Sequence, residues 1–511
     1  MNYMKQTLCA AILSATAMVH LHAAETKTPN ILIIMADDMG YSDIGCFGGE
    51  IATPNIDKLA DEGMRFRNFY NDAKCNPSRA ALFTGQYSHK GRLRTGATFA
   101  EVLRPVGYQT WMTGKWHQPG IPTDHGFDRY YGLADGCSNF WNPGIQARPG
   151  EGQPGRKAQM GDRARKWAIE DQVITDGYTP EDKNYYTTDA FTDYAVDRLE
   201  EYKDVDQPFV LYLAYTAPHY PLHAWPEDIA KYKDTYNIGW DQLREDRHQR
   251  MLEMGIIDET FKLSPRDEKV KAWSSLSKQE QEEAAYIMAV YAAMVDRMDQ
   301  GIGKVMAKLK EIGKDDDTIV IFLSDNGACA EDPNSTPDIL PGPVESYRAQ
   351  GPAWANASNT PFRLFKGTNH EGGTRGAMIV RWPGVTKPGS FSDHVGHFID
   401  FVPTFMEITG ADYPVEIRGR KLLKPDGISF LPALKGEKPV EHPFLCWEFS
   451  KAKAVRKEDW KLVKPNTKRE VPWELYNLAE DPTELNDLSA QYPEKVGELM
   501  KLWEQWYALG K

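Results

Sequence analysis

The chain has 511 residues, 41% of them hydrophobic and 26% charged, and its 60 Lys and Arg against 73 Asp and Glu give a formal net charge of −13. Such a length allows a large buried core in roughly two to four domains, and the composition is that of a soluble globular protein. The acidic balance excludes non-specific attachment to nucleic acid or to an anionic membrane surface, so an anionic ligand would have to be drawn in by a local positive site.

The chain opens with Lys5, a short apolar run from Leu8 to Val19 and the small pair Ala23-Ala24. Basic start, apolar centre and small-residue end read as an export signal over 1–24, and the run is too short to span a bilayer. This predicts a periplasmic or secreted protein that keeps no membrane anchor after cleavage. Next, Asn30 to Met35 reads as a buried strand ending in Asp37-Asp38. Asn55 to Glu62 reads as a helix that buries Ile56, Leu59 and Ala60 and stops at Gly63. In Cys75-Asn76-Pro77-Ser78-Arg79 a thiol stands two residues ahead of the helix start expected at Pro77, and Thr84-Gly85 ends that helix. The positive end of a helix dipole and its unpaired N–H groups would welcome an anion beside the thiol.

Further along, the strand Tyr108 to Met112 leads into Gly114-Lys115-Trp116-His117, and Phe209 to Tyr215 leads into Ala217-Pro218-His219. Residues 220–281 form a polar, helical excursion. Tyr291, Met294, Val295, Met298, Ile302, Val305, Met306 and Leu309 recur at helical spacing up to Gly313. The strand Thr318 to Leu323 ends in Ser324-Asp325-Asn326-Gly327, and 329–360, rich in Pro, Gly, Ser and Asn, reads as a long loop over the site. After Gly436 four short stretches, 444–449, 453–456, 460–463 and 473–476, look like antiparallel strands. They precede an amphipathic helix carrying Val496, Leu499, Leu502, Trp503 and Trp506.

Strands alternating with helices predict an α/β fold with a mainly parallel sheet flanked by helices over 25–436, followed by a smaller C-terminal α+β domain over 437–511. In such sheets ligands bind beyond the carboxyl ends of the strands, where the polar clusters above would meet. Asp37-Asp38 and Asp325-Asn326 offer only hard oxygen ligands, which favours Ca²⁺ or Mg²⁺ over zinc. Apart from Cys9, the cysteines are Cys46, Cys75, Cys137, Cys329 and Cys446. That odd, scattered set is no disulfide framework, although it leaves one bridge open, and it lacks zinc-site spacing.

These segments resemble the formylglycine-dependent sulfatases, in particular bacterial arylsulfatases, from about Thr28 to Glu484 and in family order. Cys75-x-Pro77-x-Arg79 matches the family's modification motif. Asp37-Asp38-Met39-Gly40, Thr53 to Ala60, Gly107 to His117, Ala217-Pro218-His219, Ser324 to Gly327 and Lys366-Gly367-Thr368 through Arg375 match its other signatures. Gln118-Pro119 and Asn76 depart from the common pattern and are expected at the pocket rim. The resemblance implies an alkaline-phosphatase-like fold and one Ca²⁺ held by Asp37, Asp38, Asp325, Asn326 and modified Cys75. It implies that a maturation enzyme converts Cys75 to formylglycine, whose hydrate attacks sulfur, and that Arg79 steadies that hydrate. Lys115 and Lys366 would bind sulfate oxygens. His219, helped by Lys366, would protonate the leaving oxygen, and His117 would take the proton whose loss expels sulfate. The expected substrate is a sulfated small molecule or saccharide, selected by loops at 132–183 and 329–360. A phosphate or phosphonate ester hydrolase of the same fold, or a non-catalytic protein binding sulfated glycans, are the competing readings. His125 and His370, beside two of these motifs, are read as structural before they are read as substrate contacts.

Overall fold

A computed structural model describes residues 28–157, 163–467, 469 and 471–510; the export signal expected over 1–24 lies outside the described residues. The spine is an 11-stranded sheet. Its strands are β1 (Asn30–Ala36), β2 (Met64–Tyr70), β3 (Gln109–Gly114), β4 (Arg129–Leu133), β5 (Trp167–Ile169), β6 (Gln172–Ile174), β7 (Phe209–Ala214), β8 (Thr318–Ser324), β9 (Arg375–Arg381), β10 (Ser390–Ser392) and β11 (Gly396–His397). The spatial order is β10-β2-β9-β8-β1-β7-β3-β4-β5-β6, with β11 also beside β2. The four strands expected from apolar runs are adjacent at the centre, as β8-β1-β7-β3, and all run parallel. The antiparallel exceptions are β9, between β2 and β8, and β5, between β4 and β6 at the far edge.

β1 is buried on both faces, and its period of two divides it between two cores. Ile31, Ile33 and Met35 enter one apolar layer and Leu32, Ile34 and Ala36 the other. The second layer is covered by the helix Lys278–Glu311, which begins at a Ser277–Glu280 capping box and presents Met294, Met298, Ile302 and Val305 to the sheet side. Its methionines are core, as their spacing predicts. The polar excursion contains the helices Pro226–Ala230 and Gly239–Glu253.

After a small hairpin of β12 (Glu416–Ile417) and β13 (Arg420–Lys421), the C-terminal region forms a second antiparallel sheet. It runs β14 (Leu445–Phe449), β15 (Ala452–Lys457), β16 (Trp460–Lys464) and β17 (Glu474–Asn477), followed by the helix Pro493–Ala508. Leu445, Trp447, Leu462, Trp503 and Trp506 share one apolar cluster with Phe69, Tyr70 and Phe401, so the small sheet and the large one are packed on a common core.

Two expectations change. The helix expected to begin at Pro77 begins at Cys75 and runs to Thr84, with Gly85 closing it at φ 67°. Pro77 fits two places further in because the N–H groups of a helix's first turn have no intrahelical acceptor, so a missing one costs nothing there. The loop over 329–360 also contains a helix, Gly351–Ser358. The described cysteines Cys46, Cys75, Cys137, Cys329 and Cys446 are all free. Among the described residues no helix is long and apolar enough to cross a membrane.

Candidate active site

The carboxyl ends of β1, β3, β7 and β8 converge on the first turn of the Cys75–Thr84 helix. β1 delivers Asp37 and Asp38, and β8 delivers Asp325 and Asn326, all buried. Asp38 sits in the left-handed region at φ 68° and His117 at φ 55°. Such backbone is sparsely populated outside glycine and is held here by the surrounding turns. Arg79, one helical turn after Cys75, lies fully buried. Its Nε donates to Asp325 Oδ2 at 2.9 Å and one terminal nitrogen donates to the Lys115 carbonyl at 2.7 Å. The guanidinium therefore ties the helix to the ends of β8 and β3. Tyr212 of β7, whose hydroxyl lies 3.4 Å from Arg79, completes the tie, and nothing in its apolar run marked it beforehand.

Two ammonium groups face the acids. Lys115 Nζ donates to Asp37 Oδ2 at 2.6 Å, and Lys366 Nζ reaches both Asp38 oxygens at 2.5 and 2.6 Å. Burial opposes charge on both amines, but Asp37 and Asp38 respectively hold them above the ordinary lysine value. The two aspartates diverge. Burial pushes Asp37 well above the usual carboxylate range, with Lys115 opposing and Asp325 and Asp38 adding to the rise. Burial also acts on Asp38, but Lys366, His219 and Lys115 outweigh it and drive that carboxyl far down.

The two histidines flank the cluster. His219 Nε2 lies 3.4 Å from Asp38 Oδ2, and its Nδ1–H donates to the Tyr220 carbonyl at 2.5 Å, which can only accept. A proton on Nε2 would bond Asp38 as well, so the imidazolium satisfies both neighbours. Burial, reinforced by Lys366 and Lys115 and opposed by Asp38, nevertheless holds this ring well below its ordinary value. His117 is likewise pushed down, by burial and then by Lys115, and its Nδ1 has no hydrogen-bond partner among the described residues. The two rim departures are joined. The Gln118 amide donates to the Asn76 carbonyl at 2.7 Å, while the Asn76 side chain bonds the His117 carbonyl and accepts from Arg92.

The donor set fits a hard divalent cation. Asp37 Oδ1 and Asn326 Oδ1 are buried oxygens without a hydrogen-bond partner among the described residues. Ligand atoms of Asp37, Cys75 and Asp325 lie within 4.8 Å of one another, as do those of Asp37, Asp38 and His219. The expected site residues Asp37, Asp38, Cys75, Arg79, Lys115, His117, His219, Asp325, Asn326 and Lys366 are thus brought together. His125 and His370 are elsewhere: His125 stacks on Trp116 with ring centres 5.6 Å apart, and His370 Nε2 lies 2.8 Å from Glu474 on β17.

Residues 29–411 match the family model described as sulfatase, and residues 363–507 match that of the N-sulphoglucosamine sulphohydrolase C-terminal region. An uncharacterized sulfatase of Schizosaccharomyces pombe is 34% identical over 94% of this chain and 93% of its own length. An arylsulfatase of Klebsiella aerogenes is 32% identical over 83% of this chain and 96% of its own. Among solved structures, Ps i-CgsB in complex with k-i-k-neocarrahexaose superposes with a TM-score of 0.66 at 29% identity, covering 94% of this chain and 93% of that one.

Proposed function

The chain belongs to the sulfatase family, with its alkaline-phosphatase-like fold, and is a sulfuric ester hydrolase; from that premise we propose that Cys75 is its nucleophile after conversion to formylglycine, and that the protein works outside the cytoplasm on aryl or carbohydrate sulfates. One observation carries the reading. Cys75 opens a buried helix between two acidic strand ends, with two ammonium groups and two imidazoles around it. Family membership disfavours the phosphate-ester and purely glycan-binding readings.

Asp37, Asp38, Asp325, Asn326 and modified Cys75 would hold Ca²⁺, which when bound supplies Lewis-acid polarisation of an ester oxygen. Formylglycine would supply, through its hydrate, a hydroxyl nucleophile whose product can be released by proton removal and not by attack of a second water. The chain's own groups do the rest. Lys115 and Lys366 carry firmly held protons and can exchange their carboxylate partners for sulfate oxygens. His219 is neutral at rest with its Nδ1–H on the Tyr220 carbonyl, so the proton it would pass to the leaving oxygen is one taken up on Nε2, the nitrogen facing Asp38. His117, neutral and with a free Nδ1, takes up a proton beside Cys75. Arg79 orients Asp325 and, being one turn beyond Cys75 on the same helix, fixes the nucleophile against the acids.

Peptide mass spectrometry across Cys75, on active protein from the native host, tests the proposal. The formylglycine mass is expected, whereas an active preparation in which Cys75 remains an intact thiol overturns it.

A further inference from the structure

Three hydrogen bonds tie the turn after β3 to the first turn of the Cys75 helix. Arg79 donates to the Lys115 carbonyl at 2.7 Å, the Asn76 carboxamide donates to the His117 carbonyl, and the Gln118 amide returns to the Asn76 carbonyl at 2.7 Å. The last two come from the positions at which the sequence departs from the sulfatase pattern, and neither side chain takes part in the proton transfers. Asn76 has both ends of its carboxamide engaged, since its oxygen accepts from Arg92. A carbonyl can only accept and a guanidinium can only donate, so these two partners fix the amide in one orientation, with its N–H held on the His117 peptide. Gln118 is 7% exposed, which shields its own bond from competition by water.

The His117 backbone shows why such a tie is needed. His117 stands at φ 55°, a conformation that a residue with a side chain keeps only where its surroundings hold it. The preceding N–H groups are satisfied by the sheet, Lys115 on the Ala214 carbonyl at 2.8 Å and Trp116 on the Leu133 carbonyl at 2.9 Å. Among the described residues the one hydrogen bond to the His117 carbonyl is that from Asn76. The ring has no tether through Nδ1, which lacks a partner among the described residues. Its aim therefore depends on the peptide beneath it and on packing. Gly136 supplies the packing: a Cβ there would stand 2.9 Å from His117 Nε2 and 3.0 Å from Cε1, so the ring fits because residue 136 has no side chain.

We propose that Asn76, fastened by Gln118, is a positioning residue that holds His117 against the Cys75 helix. This rests on the sulfatase reading of the site, in which His219 serves the leaving oxygen and His117 takes the proton whose loss frees sulfate. Loss of the Asn76 bond then slows the second event and spares the first, because His219 and Lys366 are bonded to Tyr220 and Asp38 and not to Asn76.

The test uses matured Asn76→Ala and Gly136→Ala enzymes, with formylglycine content counted by peptide mass spectrometry. The substrate is whichever of 4-nitrophenyl sulfate and singly sulfated sugars the wild type turns over fastest, and released alcohol and released sulfate are timed separately. A misplacement of about 1 Å costs on the order of a hundredfold, so kcat for Asn76→Ala should fall by about ten- to a hundredfold. KM should fall with it and leave kcat/KM within about threefold, because that ratio reports only the steps up to release of the alcohol. The alcohol should appear ahead of sulfate, in a burst of about one equivalent per formylglycine. Gly136→Ala crowds the same ring without touching the Cys75 helix and should share the pattern; its lack of a burst overturns the account of the ring. An unchanged kcat for Asn76→Ala, or a kcat/KM that falls as far as kcat does, overturns the positioning role. A wild type that turns over none of these esters, or an active one whose Cys75 is an intact thiol, overturns instead the reading beneath it. A second readout needs no matured enzyme. In the chain that keeps Cys75 as a thiol, amide hydrogen exchange over 115–118 should be about three- to tenfold faster in Asn76→Ala than in wild type, the loss of one hydrogen bond, while β1 and β8 keep their protection. Unchanged exchange over 115–118, or an equal rise in β1 and β8, overturns the positioning role.

Discussion

Lys461 on β16 is buried, with its Nζ 2.6 Å from Glu371 and 3.0 Å from Glu484. Glu371 is also bonded by the Tyr70 hydroxyl at 2.8 Å and by Arg375 at 3.2 Å, and its own N–H donates to Glu484 at 2.8 Å. Burial alone would raise the Glu371 carboxyl, but Lys461, then Arg375 and Arg456, bring it down to about 2. This cluster ends the turn that begins at Lys366. The same turn is fastened from two sides, because Asn466 donates to the Gly367 carbonyl at 2.8 Å and the Gly367 N–H donates to Ala73, just before Cys75, at 2.6 Å. The C-terminal sheet is therefore a clamp on the turn carrying Lys366. Lys461→Met keeps the stem and removes the ammonium, leaving two buried carboxylates short of a cation. Breaking a buried pair from one side destabilises by about 3–5 kcal/mol. With an unfolding entropy of about 2.1 cal/mol/K per residue over roughly 480 folded residues, near 1 kcal/mol/K, Tm should fall by about 3–5 °C. Scanning calorimetry reads this, and the double variant Lys461→Met/Glu484→Gln should regain part of the loss because one stranded charge is gone. A Tm fall below about 1 °C, or a double variant no more stable than the single, refutes the clamp.

The remaining expectations concern the site and its walls. Cys75→Ala should abolish turnover of the matured enzyme, and His117→Ala should lower kcat by about 10²–10⁴; near-normal steady-state rates in either would sink the mechanism. Burial lowers His223 to about 4 from its ordinary 6.5. The fold holds this ring neutral while the unfolded chain binds the proton, so its contribution is fully present above pH 6.5 and is lost as pH falls through 4. That is roughly 3 kcal/mol in all. The Tm difference between wild type and His223→Gln should shrink from pH 7.5 to 4.5, and a constant difference contradicts the assignment. Chelation of divalent cations should lower both Tm and activity, and Ca²⁺ should restore both; unchanged values after dialysis against chelator exclude a cation at the acidic cluster.

What the sequence made legible follows from local pattern. β1, β7 and β8 are central, parallel and buried on both faces, so each reads as a nearly unbroken apolar run ending in polar residues, whereas β3 shows only Trp111 and Met112 between polar positions and is marked by the Gly114-Lys115 turn that follows it. β2 alternates with Arg65, Arg67 and Asn68, and β4 opens with Arg129 and contains Gly132, so neither offers such a run. β9 places Gly376 and the short apolar run Ala377 to Val380 between its flanking arginines. In the site, residues delivered by strand ends were readable because each follows a visible strand. The Lys461–Glu371–Glu484 cluster was not, since its members are separated by 90 residues or more of chain except for the pair on the C-terminal side. The loops expected to select the substrate, 132–183 and 329–360, were legible as loops, but only the fold brings Tyr347 of the second within 3.8 Å of Cys137 of the first.

The charges of the site show what a bound cation would do for an acidic protein that takes an anion. Asp37, Asp38 and Asp325 face Lys115, Lys366 and Arg79, and these formal charges cancel. The histidines add nothing, because burial and the lysines hold both rings towards neutrality. The cluster alone therefore presents no net field to a sulfate ester, and a buried lysine has little reason to leave its carboxylate. A divalent cation held by these acids would change both terms: the cluster would become formally +2, and the carboxylates would have a second partner, which would leave Lys115 and Lys366 available to sulfate oxygens. The gain is local, and a second anionic group on the same substrate still meets the −13 of the whole chain. On this reading the acidic cluster, and not the overall charge of the chain, governs whether a sulfate binds at all.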